Sequence, residues 1–506
     1  MASLSKNLVA NFIGKSWTSA LSVLLIPVYI KIMGLESYGL VGFYITLSSV
    51  FGILDLGIGS TMNRELARRT VRDELAGSER DLVRTLEIIY WTIAVVIGLI
   101  VIFFAPLITQ NWLQGQKLPH HIILRTVQLM GGALALQFPM SLYQGGLLGL
   151  QKQVAVNAML VIHGTLRGLG AVLALYMVSP TVEVYFGWQV ISSFIGSISF
   201  FIIIWMNLPK APERARFKVG ILQEIWKYAA AISANAFIGI ILSQLDKVIL
   251  SKMLNLRMFA YYSIATTASS VIWMIVIPFS TAAFPNLVQM HELGQDLKLR
   301  NFFHTSSQTL SLLLLPASAV LIVFSKQILL LWTHNPAIVE NSHLLVSCLV
   351  FGTMLNGIAT FPVDNAMAFG WPQLVTYTNL TQAVAIVPLI IIMVHEFQGL
   401  GAAIVWIILN SIYIIFMIPI FFKRYLTEEK TKWYIQDVFF PLAVAFLICL
   451  LSQFAMPGIK NTIILAIWVV LTGVVALVAT ALALPHIRQK AFSIIQRKSD
   501  AIHNIN

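Results

Sequence analysis

The feature that most constrains this chain is a recurrence of apolar runs about twenty residues long, divided by short polar connections. A bilayer's hydrocarbon core is about 30 Å thick, so a helix rising about 1.5 Å per residue crosses it in about 20 residues. About fourteen runs meet that length, near residues 10–30, 38–62, 84–105, 121–148, 155–178, 184–206, 226–250, 258–283, 304–325, 342–368, 373–394, 401–422, 437–456 and 461–484. A transmembrane barrel would show weaker alternating segments of about ten residues. With 58% hydrophobic and 11% charged residues in a chain of 506, a soluble protein of several domains is excluded. The sequence predicts an all-α polytopic membrane protein with about fourteen transmembrane helices.

An even number of spans puts both termini on one side, and the Lys and Arg residues say which side faces the cytoplasm. Most fall in loops on the side of the termini, including Arg64, Arg68, Arg69, Arg72, Arg80 and Arg84, then Lys210, Arg214, Arg216 and Lys218, then Lys423, Arg424, Lys430 and Lys432. Both termini are therefore expected to be cytoplasmic. The net charge of +12 reads as topology and contact with anionic lipid, not as nucleic-acid binding. The N-terminus, with Lys6 before its first span and no small-residue cleavage site, reads as a retained anchor. The charged stretch NRELARRTVRDELAGSERDLVR and the tail from His486 read as amphipathic segments on the inner surface.

An internal repeat sets the expected organisation. Residues 31–50, KIMGLESYGLVGFYITLSSV, overlay residues 252–271, KMLNLRMFAYYSIATTASSV, without a gap and with six identities in twenty. Span one then falls on span seven and span two on span eight in the same sense, which predicts a parallel pseudo-two-fold repeat of six-helix lobes. The expected division is an N-terminal lobe at 1–206, a cytoplasmic linker at 207–225, a second lobe at 226–422, and two extra helices with a basic tail at 423–506.

Polar stripes on the repeated spans point to a cavity. At 100° per residue, Asn235, Gly239, Ser243, Asp246 and Lys247 share one arc of span seven, and Asn11, Lys15, Thr18 and Ser22 share one face of span one. The repeat offset carries Thr18 onto Gly239 and Ser22 onto Ser243. Ionisable groups at membrane depth are costly and persist where they meet water, a partner or a substrate. The deep set is Lys15, Asp55, His163, Arg167, Asp246, Lys247 and Asp364. Asp246 and Lys247 point about 100° apart, so mutual neutralisation is not assumed and each is expected to face a cavity or a partner on another helix. His163 and Arg167 share a face at i, i+4, and a buried Arg, always charged, must meet an anion or carbonyls. Asp55, on a face with Ser48 and Gly59, and Asp364, beside Asn365, carry a coupling cation or pair with a base.

Other motifs carry no chemistry. IGKS at residues 13–16 lacks the first glycine of a phosphate loop, and no HExxH or GxSxG occurs. The cysteines, Cys348 and Cys449, both lie inside spans and form no disulfide framework. Gly145 with Gly149, and Gly164 with Gly168, have the spacing that permits close helix packing. Pro27, Pro139, Pro278, Pro316 and Pro388 supply bends.

Three stretches, KNLVANFIGKSWTSALSVLLIPVYIKIMGLESYGLVGFY, GILDLGIGSTMNRELAR and LSQLDKVILSKMLNLRMFAYYSIA, together resemble the polysaccharide-synthesis branch of the multidrug/oligosaccharidyl-lipid/polysaccharide exporter superfamily, the Wzx-type O-antigen and capsule-unit flippases of bacteria. The resemblance implies two six-helix lobes around a cavity. It also implies movement of an undecaprenyl-diphosphate-linked oligosaccharide from the inner to the outer leaflet of the plasma membrane by alternating access, with no enzymatic step and no cofactor beyond H+ or Na+ coupling. A polymerase and a chain-length regulator are the implied protein partners. Lys15, Arg167 and Lys247 would then meet the diphosphate, and Asn11, Thr18, Ser22, Asn235 and Ser243 would line the polar cavity. Asp246 and Lys247, an acid followed by a base in span seven, match the family's pattern. Asp55, Asp246, Asp364 and His163 remain for ion coupling or structure. The alternative on the same fold is an ion-coupled drug exporter, for which acidic cavity residues would suit cationic cargo. A membrane polymerase or glycosyltransferase would need a large outer loop, and a scaffold would need no buried charge.

Overall fold

The computed structural model describes residue 14 and residues 16–55, 57–70, 78–209, 214–456, 458–459 and 461–489, and for residues 224, 226–236, 238 and 240 the backbone alone. Asn11, Lys15 and the Asn235 side chain lie outside the described residues, as do residues 71–77 and the tail from 490. The described chain is helical, with a single bridge between Gln114 and Asn255 and no strand. This is what lipid demands, because each backbone N–H and C=O must be satisfied within its own segment.

The chain divides into two compact units, Met1–Ala260 and Tyr261–Asn506. The first contains α1 (Ser16–Met33), α2 (Leu35–Phe51), α3 (Ile58–Arg69), α4 (Glu79–Asn111), α5 (His120–Gln137), α6 (Pro139–Gly149), α7 (Gln153–Met177), α8 (Val182–Asn207) and α9 (Val219–Met253). A further helix, α10 (Leu256–Ser270), straddles the division. The second contains α11 (Trp273–Glu292), α12 (Asp296–Val323), α13 (Ser325–Thr333), α14 (Pro336–Ala368), α15 (Pro372–Ile412), α16 (Ile418–Arg424), α17 (Phe440–Ala455) and α18 (Thr462–Ala483). By its contacts α9 belongs with α2, α3 and α4, whereas the repeat in the sequence puts it at the head of the second lobe.

Twelve helices among the described residues are long and apolar enough to cross a membrane, against about fourteen expected. Two differences account for the count. The stretch Pro372–Arg424 is reckoned as one run of 53 residues, yet Gln398 leaves the helical region at φ 51, ψ −133 and breaks it between the two expected spans. The other is α9, 35 residues long, which covers the expected seventh span and, with residues 226–236 described by their backbone alone, stands outside the count of twelve.

Local chemistry sets many boundaries. Pro139 occupies the first turn of α6, where its missing N–H would be unpaired anyway. Asn335 and Asn461 cap α14 and α18 by accepting backbone N–H groups of the first turn. The expected span 38–62 is not one helix: a short 3-10 turn, Gly52–Asp55, closes α2, and Gly57 takes a left-handed conformation at φ 63 before α3. The charged stretch after it is not a separate surface helix where it is described. Residues 63–69 continue α3 with Glu65 and Arg69 both buried, and α4 begins at Glu79.

Both glycine pairs do pack helices closely. A Cβ on Gly145 would sit 2.2 Å from the Gly59 carbonyl oxygen, and one on Gly149 2.5 Å from that of Asn63, so α6 touches α3 backbone to backbone. Gly164 and Gly168 make the same accommodation for α1, with Thr18 and Leu25 as the neighbours.

Candidate functional site

The first unit holds a cavity of about 580 Å³ bounded by α1, α2, α7, α8 and the junction of α5 with α6. The glycines of α7 bring α1 close enough to put Thr18 and Ser22 on its wall. Their hydroxyls bond back to the Gly14 and Ser19 carbonyls, leaving acceptor capacity toward the cavity.

Arg167 dominates the electrostatics of this space. Its Nε donates to Gln189 Oε1 at 2.7 Å, and its guanidinium carbon lies 5.8 Å from the Tyr44 ring centroid. No carboxylate pairs with it among the described residues. Burial of such a cation is costly unless an anion or water meets it, and the guanidinium fork suits a planar or tetrahedral oxyanion. Around it stand Tyr29, Tyr44 and Tyr185. Tyr29 packs edge-on to Tyr185 at 5.1 Å and donates to the Gly168 carbonyl, and Tyr44 donates to Gln137 Oε1 at 2.9 Å.

His163 lies on the same face of α7, as the spacing predicts, and also lines the cavity. It is 8% exposed, its Nε2 faces the Ser192 carbonyl at 3.2 Å, and its ring packs on Gly196. It is held as a hydrogen-bonded core histidine that braces α7 against α8.

A second cavity, about 490 Å³, adjoins the first and shares Gln137, Ser141 and Gln144 with it. Asp55 lines it together with Ser48 and Gly59. The break at Gly57 brings these three together, not a continuous helical face. Asp55 Oδ1 accepts hydrogen bonds from Tyr90 and, at 2.9 Å, from Ser141. Among the described residues it has no basic partner, so the carboxylate rests on hydroxyl donors alone.

Asp246 and Lys247 differ from expectation. Lys247 Nζ lies 3.2 Å from Asp246 Oδ1 and 2.6 Å from the Ser243 carbonyl, and both side chains are 17% exposed. The long lysine stem folds back one turn along α9, so a 100° separation on the wheel does not keep the charges apart. Ser243 and this pair line neither cavity. Asp364 belongs to the second unit, where Ser280 Oγ donates to its Oδ2 at 2.5 Å. The structure thus gathers Thr18, Ser22, His163 and Arg167 at one cavity, and places Asp55 beside it. Among the described residues no three His, Cys, Asp or Glu side chains are arranged so that they could hold a metal ion.

Sequence reasoning misses Gln189, Gln137 and the tyrosines. They come from α1, α2, α5 and α8, and an aromatic residue in a membrane span carries no signal that separates cavity wall from lipid face. It also misses a polar knot in the second unit. There His304 is 1% exposed between Asp437, 2.5 Å from Nδ1, and Glu429, 2.8 Å from Nε2, while Gln308 donates to the other Asp437 oxygen. The partners are more than a hundred residues apart in sequence.

Comparison with known proteins adds four observations. The chain is 21% identical over 414 residues to a candidate O-antigen transporter of Shigella flexneri, covering 80% of this chain and 94% of that one. Its fold is similar to the lipid II flippase MurJ in an inward closed conformation, with TM-score 0.67, 13% identity, and 94% and 98% of the two chains covered. It is equally similar to an inward-facing multidrug resistance MATE transporter of the MOP superfamily, with TM-score 0.68, 15% identity, and 82% and 96% covered. At such identities the structures speak for the fold alone. The family model described as polysaccharide biosynthesis protein matches residues 4–291, more than half of the chain, and the chain belongs to that family.

Proposed function

We propose that the protein is a flippase that carries an undecaprenyl-diphosphate-linked glycan unit from the inner to the outer leaflet of a bacterial plasma membrane by alternating access, for assembly of a surface polysaccharide. The observation that carries this reading is Arg167, a permanent cation in a cavity of about 580 Å³ with no carboxylate partner among the described residues. A diphosphate and its sugars cannot cross hydrocarbon unaided. A guanidinium supplies the counter-charge, Tyr29, Tyr44 and Tyr185 form the buried aromatic wall that holds it, and Gln137, Ser141 and Gln144 supply hydrogen-bonding groups. The polysaccharide family and the Shigella relative favour the same cargo class. In this reading both termini are cytoplasmic, and a polymerase with a chain-length regulator takes up the product.

Lys15 and Lys247 remain proposed head-group contacts of lower rank, the first outside the described residues and the second already paired with Asp246. Asn11, Asn235 and Ser243 keep the same standing as polar lining. Asp55 and Asp364 are the proposed sites for H+ or Na+ coupling. The unpaired Asp55 carboxylate also favours a second reading, export of a cationic small molecule, but its neighbour Arg167 opposes it.

The test is surface-glycan display in cells whose only flippase is this chain. Arg167→Ala should abolish display with the protein still inserted at normal level, and Arg167→Lys should restore part of it. Full display by a well-expressed Arg167→Ala variant would reject the proposed site.

A further inference from the structure

A groove on the first unit, away from the two cavities, has the dimensions and charge of a lipid site. One wall is the face of α4 carrying Arg84, Glu87, Ile88, Trp91, Val95 and Val96, and the other is Phe201 of α8. Its volume is about 570 Å³. Twelve residues of helix separate Arg84 from Val96, a rise of about 18 Å, which is close to the depth of one leaflet, half of a core about 30 Å thick. The apolar stretch is open: Ile88, Val95 and Val96 are 43%, 54% and 46% exposed.

The polar end is built. Glu87 is buried at its floor, accepting from Tyr143 at 2.8 Å, Arg84 at 2.8 Å and Trp205 at 3.4 Å, and Trp91 donates to the Tyr143 hydroxyl. Arg84 lies 5.0 Å over the Trp205 ring and Arg80 5.9 Å over it. Glu87 balances Arg84. Arg80 makes no ion pair among the described residues, and its Nε is buried without a partner. The neighbouring Asp81 is already taken by Lys218 Nζ at 2.5 Å. Arg80 therefore stands, outside any ion pair among the described residues, beside Arg84 at the membrane-surface end of an apolar, one-leaflet groove flanked by two indoles, an interfacial arrangement, with the buried Glu79 carboxylate as its chain neighbour.

We propose that this groove binds one anionic glycerophospholipid, its phosphate at Arg80 and Arg84 and one acyl chain along Ile88, Val95 and Val96. Two guanidinium groups side by side over Trp205, with Arg80 outside any ion pair among the described residues, favour a phosphate oxyanion there, and the depth favours the chain of a membrane lipid. The inference is independent of the cargo proposed for the central cavity.

The test uses full-length protein in mixed micelles with a photoactivatable phosphatidylglycerol bearing its diazirine on the acyl chain, and a phosphatidylcholine counterpart. The expected result is cross-linking of the anionic probe to the peptide carrying Ile88–Val96 in preference to the zwitterionic one. Arg80→Ala with Arg84→Ala should remove that preference, and Val95→Trp, which keeps both charges and fills the groove, should remove the adduct. Equal labelling by both probes in the wild type would overturn the proposal. Displacement of the probe by a polyprenyl phosphate at lower concentration than by unlabelled phosphatidylglycerol would overturn it too, by assigning the groove to cargo.

Discussion

In the proposed reading a single guanidinium does most of the chemical selection in the first unit. Arg167 is held at Nε by Gln189 and from one face by Tyr44, so the fork is positioned before any ligand arrives. A charge-assisted hydrogen bond to phosphate contributes about 1.5–3 kcal/mol, so Arg167→Ala should weaken binding of a pyrophosphate-bearing lipid by about ten- to a hundredfold. Asp55 is its opposite, a carboxylate satisfied by the hydroxyls of Tyr90 and Ser141. Asp55→Asn keeps an acceptor for both hydroxyls and should change stability by no more than about 1 kcal/mol. The same change should remove the dependence of transport on an H+ or Na+ gradient in reconstituted vesicles. Unchanged gradient dependence would make Asp55 a structural group.

At the scale of elements, glycine-mediated contact and buried charge hold the helices in register. A methyl group on Gly145 meets the Gly59 backbone oxygen at 2.2 Å, and neither backbone can yield without moving a helix. Gly145→Ala should therefore cost about 1–3 kcal/mol in thermal unfolding, whereas Gly187→Ala, with open space around it, should fall within about 0.5 kcal/mol of wild type. In the second unit, the π-helical turn Trp433–Phe439 that precedes α17 delivers Asp437 to His304 of α12. Both ring nitrogens of His304 face carboxylates, a geometry that an imidazolium satisfies by donating twice. Glu429, beyond the membrane segments, is partly buried, which pushes its pKa up. The hydrogen bond and charge of His304, with Lys432 and Arg300, outweigh that and hold it below the usual glutamate value. Burial, then the positive charges of Lys432 and His304, push His486 below the usual histidine value, against the pull of Asp437.

Both shifts have the same consequence for stability. A histidine lowered on folding takes up its proton more readily in the unfolded chain, so stability falls as pH drops below about 6.5. The Glu429 contribution persists above about 4.5 and fades as pH falls through the lowered folded value. Thermal unfolding between pH 7 and pH 5 should therefore show falling stability, and His486→Gln should flatten that slope. A slope unchanged in His486→Gln would remove the histidine from the account.

For the whole molecule, the bilayer's thickness made the helical architecture readable, because span length follows from a single physical dimension. The glycine pairs and the shared face of His163 and Arg167 were readable for a similar reason, since helical spacing fixes which residues are neighbours. What escaped reading depends on departures from that regularity or on distant pairing. The break at Gly57 interrupts the expected span 38–62, and the flexible Lys247 stem closes on Asp246. The cavity's tyrosines come from α1, α2 and α8, and the His304 knot joins residues 125 and 133 positions apart. No local periodicity carries either. The fold shared with flippases and multidrug exporters leaves cargo to the side chains, and in the proposed function Arg167, without a carboxylate partner among the described residues, is the side chain that favours an anionic cargo over a cationic one.

The most direct measurement is transfer of a defined undecaprenyl-diphosphate-linked glycan between leaflets of vesicles holding the purified protein, read by access of a membrane-impermeant lectin or glycosidase. The account predicts time-dependent appearance of the glycan in the opposite leaflet with wild type, loss with Arg167→Ala, and partial recovery with Arg167→Lys. Transfer by Arg167→Ala at the wild-type rate, or efflux of a cationic drug in place of glycan transfer by the wild type, would contradict it.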